Sequence, residues 1–130
     1  MAFKKVSGKQ LPFEYYLLTD GEGATLGEAL VQTSGRLTKC GATATPEFIA
    51  MCDRTAETTS TVDLPVERVM EDVEYETDSV ATVADTLVGS KVTLHTDGLD
   101  VTATTSSGVF EITQTDGATT NSKVRGMFRR

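Results

Sequence analysis

The run from Gly89 to Phe128 constrains the fold of this chain most. Short stretches of Val, Ile, Leu, Phe and Thr are cut there at nearly even intervals by Asp97-Gly98, Ser107-Gly108 and Asp116-Gly117. Branched and aromatic side chains suit a pleated, half-buried surface. Asp-Gly between two such stretches signals a hairpin, because its residues tolerate positive φ. The alternation agrees. Val92 and Leu94 point one way, and Lys91, Thr93 and His95 the other. Leu99, Val101 and Ala103 share a face, as do Phe110 and Ile112, and then Val124 and Phe128. Glu111, Thr113, Lys123 and Arg125 lie opposite. A period of two with one dry face predicts antiparallel strands, here four in a meander.

The earlier chain follows the same grammar. Gly27 to Cys40 predicts a second hairpin, turning at Ser34-Gly35, and Glu47 to Cys52 a further strand. Thr61 to Thr77 resumes the pattern, and its apolar parity flips near Glu67 and Arg68, which predicts either a bulge or a break between two strands. Pro65 belongs at an edge or a strand start. Asp78 to Gly89 is a connection with one helical turn. In residues 1–20 a basic tip leads into Leu11 to Leu18, which sets Phe13, Tyr15 and Tyr16 beside Pro12. That segment predicts an extended arm, which either adds a strand to its own domain or docks on a neighbour. The expected fold is all-β: a small antiparallel barrel or sandwich built from hairpins over residues 21–130, with the arm at 1–20. A chain of 130 residues can bury a core without disulfides or metal. Its 22 threonines and lack of Trp favour strands over helices.

Charge is unevenly placed. The net charge is −7. Yet Lys4, Lys5 and Lys9 occupy the first ten residues, and Lys123, Arg125, Arg129 and Arg130 the last ten, with no acid in either segment. All 19 acids lie between them. Basic ends on an acidic body suggest contact with an acidic surface. Because the body would repel phosphate, a protein surface ranks above nucleic acid. The candidate contact residues are the end bases Lys4, Lys5, Lys9, Lys123, Arg125 and Arg129, with the N-terminal aromatics Phe3, Phe13, Tyr15 and Tyr16.

Chemistry is sparse by comparison. The glycine-rich loop from Asp20 to Gly27 matches neither the phosphate-loop nor the dinucleotide spacing. His95 reads as a surface histidine, with no serine or cysteine marked as its partner. Glu71, Asp72, Glu74, Glu76 and Asp78 form the densest acidic run. On a strand Glu74, Glu76 and Asp78 share a face, which reads as a solvated or partner-facing stripe. The calcium-loop pattern is missing. Cys40 and Cys52 could pair only if the fold brings them together, and they read first as reduced thiols of a protein made in a cytosol; with a single His they fall short of a zinc ligand set. Nothing here predicts a catalytic residue, a metal or a cofactor. No apolar run is long enough to span a membrane, and no apolar signal core follows Lys4 and Lys5.

The run Gly-Glu-Ala-Leu-Val-Gln-Thr-Ser-Gly-Arg-Leu-Thr-Lys at 27–39, with Pro-Glu-Phe-Ile-Ala-Met at 46–51, resembles the small head-decoration, or capsid cement, proteins of tailed bacteriophages. Leu-Pro-Val-Glu-Arg-Val at 64–69 and Tyr-Glu-Thr at 75–77 are similar to the strand pair that follows in those chains. Val-Gly-Ser-Lys-Val-Thr-Leu-His-Thr-Asp-Gly at 88–98 and Lys-Val-Arg-Gly-Met-Phe at 123–128 fit their last part. The resemblance implies a β-rich structural protein on the capsid exterior, with the major capsid protein as partner and self-association into a trimer. It also implies reinforcement of the shell against internal DNA pressure and an N-terminal arm that pairs with the shell. The alternatives are a tail-tube or head–tail joining subunit, which would form rings, and a small ligand-binding barrel or enzyme.

Overall fold

The computed structural model describes residues 2–119 and 121–129. Arg130, counted among the C-terminal bases, lies outside them. Two five-stranded antiparallel sheets pack as a sandwich, not a closed barrel. Across the first sheet run β1 (Lys4–Ser7), β7 (Glu74–Asp78), β10 (Lys123–Phe128), β9 (Phe110–Thr115) and β8 (Lys91–Val92). Across the second run β2 (Glu14–Tyr16), β6 (Leu64–Arg68), β5 (Phe48–Ala50), β3 (Ala29–Thr33) and β4 (Arg36–Lys39).

The hairpin grammar explains most of this. Ser34 and Gly35 take φ of 51° and 81°, so the β3–β4 turn has both central residues left-handed, as a two-residue hairpin of matching twist requires. At Asp97-Gly98 and Asp116-Gly117 only the glycine does so. The parity flip in 61–77 is the passage from β6 in one sheet to β7 in the other. The single helical turn is a 3-10 turn at Asp85–Leu87.

Two expectations need correcting. First, Leu99 to Thr104 does not become a ladder strand. Val101 makes only isolated bridges, to Leu94 and Ser79. The Leu94 N–H donates to the Ala42 carbonyl at 2.9 Å, and the Ala29 N–H donates to the Gly98 carbonyl at 2.8 Å. The hairpin therefore leans across onto the second sheet instead of extending the first. Second, the second sheet has two dry faces. Ala29 and Ile49 face the first sheet, while Leu30, Phe48, Ala50, Leu64 and Val66 pack on the far side under Leu18 and Ala24. This is why Phe48, Ile49 and Ala50 are buried in succession. Pro65, expected at an edge or a strand start, is the second residue of β6, with Tyr15 of β2 opposite it.

The cover over that second face accounts for the glycine-rich loop. Ala24 and Arg54 exchange backbone hydrogen bonds at 2.8 and 2.9 Å, joining the loop to the polar stretch after β5. A Cβ on Gly23 would lie 2.5 Å from the Arg54 carbonyl. The glycine is there for close backbone approach.

Residues 2–20 lie within the sandwich. β1 and β2 each form the outer edge of one sheet. Phe3 is buried, its ring 5.0 Å from Phe128 and 5.6 Å from Phe110. Tyr75 joins the same aromatic cluster, 5.2 Å from Phe128. It is 1% exposed, and its hydroxyl has no partner among the described residues. Burial, and then the charge of Glu67, raise its pKa. An unpartnered buried hydroxyl costs stability, so Tyr75→Phe is expected to stabilise the domain by about 1 kcal/mol. Denaturant midpoints with an unchanged m-value would check it. A loss of stability would mean that the hydroxyl has a partner.

Candidate functional site

The structure separates the candidate contact residues into three settings. Lys123, Arg125 and Arg129 project from β10 and its end onto the outer face of the first sheet. The acidic run lies there too, because Glu74, Glu76 and Asp78 alternate outward along β7 while Tyr75 and Thr77 turn inward. The two sets interlock. Arg125 Nε lies 3.1 Å from Glu76, Lys123 Nζ 3.9 Å from Asp78, and Arg129 Nε 2.9 Å from Glu111. Lys4 stands opposite Glu76 in the β1–β7 register. The uneven charge along the chain is thus largely a cross-strand pattern, in which strands far apart in sequence become neighbours. Exposed pairs of this kind add little stability individually, but they fix register.

Lys5 has a different role. It lies opposite Tyr75 and so points into the gap between the sheets. Its Nζ is 2.8 Å from Glu67, which is 3% exposed, and 3.1 Å from the Gln10 side-chain oxygen. The Gln10 amide donates to Glu67 at 2.9 Å. Inward charge beside an edge strand discourages sheet-to-sheet aggregation. At the other edge, Arg68 donates two 2.9 Å bonds to Glu14 and stacks 4.8 Å over Phe48. Tyr16 donates to Glu14 and packs 5.3 Å from the same Phe48 ring. The Arg68 guanidinium, then Tyr16, hold the Glu14 carboxyl below its ordinary pKa.

The third setting is a groove of about 510 Å³, formed where β1 and the approach to β2 pass the residues before β3. Phe3, Lys4, Lys5 and Phe13 line it, so these four sequence candidates converge. Phe13 is 43% exposed, and Leu26 on the facing wall 53%. Lys9 is exposed beside the groove, its carbonyl 3.3 Å from Lys5 Nζ. Tyr15 is 58% exposed on the β2 edge and is not among the lining residues. Sequence reasoning missed Leu26, Met51 and Glu67 as groove residues. Leu26 sits in a loop without periodicity, Met51 reads as part of a buried strand, and Glu67 falls where the apolar parity flips.

Two further features escaped it. His95, Asp97 and Asp100 bring one potential ligand atom each within 4.8 Å of one another. His95 Nδ1 lies 3.1 Å from Asp97, whose other partner is the Leu99 N–H at 2.9 Å. The cluster belongs to the Asp97-Gly98 turn and is explained by it. Glu28 is 1% exposed, accepts from the Thr25 N–H and lies 3.5 Å from Lys39. Burial raises its pKa, against the pull of Lys39. A carboxyl raised on folding contributes stability below its unfolded pKa, and that contribution is lost as pH rises through the folded value. The stability difference between wild type and Glu28→Gln should therefore favour wild type more at pH 4 than at pH 8. Equal differences at both pH values would contradict it.

Cys40 and Cys52 are free thiols. Burial, then the charge of Glu47, push the Cys40 thiol up to about 12. Its Sγ donates to the Ala44 carbonyl, so it is a packing residue rather than a nucleophile.

No known protein family, curated protein or solved structure matches this chain.

Proposed function

We propose that this chain is a structural virion protein that binds the outer surface of a tailed-phage head and stiffens the shell. Its partner is the major capsid protein. The observation that carries this reading is the groove: an open, largely apolar recess with Lys4 and Lys5 in its lining beside the paired Glu67 and Glu76, on a body of net negative charge. Such a surface suits adhesion to another protein. The choice of a phage shell rests on the motifs at 27–39, 46–51, 64–69, 88–98 and 123–128. Weak contact by one copy suffices when many copies sit side by side on a lattice. In this reading the chain is made in the host cytoplasm, associates as a trimer and ends on the capsid exterior, with no cofactor and no catalytic step.

The test mixes purified protein with heads of the encoding phage assembled without it, across salt and pH. Saturable binding and heads that withstand higher temperature are expected. No binding under any condition overturns the reading. Native mass should give a trimer; a closed hexameric or larger ring would instead identify a tail-tube or head–tail joining subunit.

A further inference from the structure

We infer that the groove beside β1, and not a detached N-terminal arm, is the contact face, and that it takes an extended acidic and apolar segment of the shell protein. The inference rests on the capsid-binding reading above.

The first observation concerns the arm. Phe3 is sunk between Phe110 and Phe128, Lys5 and Gln10 are both bound to buried Glu67, and Glu14 is clamped by Arg68 through two bonds. Freeing residues 1–20 would strip an aromatic from the core and leave Glu67 buried without its cation. Loss of one partner from a buried pair is strongly unfavourable. A segment held at three points is poorly suited to swing out and find a partner.

The second concerns what that segment builds. Phe13 and Leu26, both partly exposed, line one recess together with buried Phe3 and half-buried Met51. β1 and β2 are edge strands, and among the described residues Lys4–Ser7 and Glu14–Tyr16 make no backbone hydrogen bond outside their own sheets. An incoming extended segment can therefore pair with an edge and place alternate side chains in the recess.

The third is charge. Exposed Lys4 lines the recess and exposed Lys9 lies beside it, while the two acids of the lining are already paired, Glu67 with Lys5 and Glu76 with Arg125. An acidic segment would be repelled over most of the body and favoured here. That selects the occupant: apolar side chains for the recess, carboxylates for the two lysines.

The test uses the full chain and the same heads. Leu26→Glu and the pair Lys4→Gln with Lys9→Gln alter exposed side chains, so each should fold, as thermal melting would verify. Both are expected to weaken head binding at least tenfold. Val88→Glu, exposed and outside the groove, should bind as wild type. Wild type binding with both groove variants unchanged overturns this inference and leaves the proposed function standing. Wild type failing to bind overturns both. Groove variants that lose self-association while each subunit still binds heads would make the groove a contact between copies, and would also overturn it. If Leu26→Glu fails to fold, Phe13→Ser in its place reads out the same recess.

Discussion

Replacing Phe128 with alanine is expected to remove about 3–5 kcal/mol of folding stability, the usual cost of truncating a fully buried ring. Phe128 is 0% exposed and touches three other rings: Phe3 at 5.0 Å, Phe110 at 5.1 Å and Tyr75 at 5.2 Å. Those rings come from the chain before β1 and from β9 and β7. Residues from both ends of the sequence therefore meet in one cluster. Because a domain of this size is held by roughly 5–15 kcal/mol in total, the loss takes a large share of it. Chemical denaturation would measure it directly. A loss below about 1 kcal/mol would mean that the cluster is not the centre of the core.

Gly126→Ala should be nearly as damaging, at about 3 kcal/mol, although it adds one methyl group. A Cβ at Gly126 would lie 2.2 Å from the Glu111 carbonyl oxygen and 2.6 Å from the Phe110 ring. It sits where the β9–β10 register shifts, so Arg125 pairs with Gln114 but Gly126 with Ile112. The strand cannot give way without dislodging β7, its partner on the other side. Overpacking of this kind falls at the upper end of the usual range. Gly35→Ala is the contrasting variant. Its φ of 81° is strained for alanine, but nothing lies within 4 Å. Its cost should be limited to about 1–2 kcal/mol of backbone strain. Equal losses at the two positions would contradict the register.

Much of this architecture is legible from side-chain alternation. Phe110 and Ile112 inward, Glu111 and Thr113 outward, and the Ser34-Gly35 turn all follow from a period of two and local turn chemistry. What alternation cannot reveal is which strand lies beside which. Lys123 and Arg125 read as a free basic tail because Asp78 and Glu76 are more than forty residues away in the chain; pairing of β10 with β7 makes them neighbours. Lys5 reads the same way, and its position opposite Tyr75 turns it inward toward Glu67. The second dry face of the β2–β6–β5–β3–β4 sheet was hidden for a related reason. Its cover is two polar segments, one of them glycine-rich, joined through backbone groups rather than through any apolar pattern. A third of the groove lining was visible as Phe3, Lys4, Lys5 and Phe13. The facing wall, Leu26, comes from a stretch whose local sequence reads only as a loop.

Backbone hydrogen exchange on the free chain tests most directly whether residues 1–20 are structural strands. Amides of β1 and β2 that donate to β7 and β6 should be protected well beyond unfolded-chain rates, and those of β10 close to the global limit. Exchange of Lys4–Ser7 and Glu14–Tyr16 at unfolded-chain rates, with β7 and β6 still protected, would contradict the account: the N-terminal segment would then be a free arm, and the groove would lose the wall it is built from.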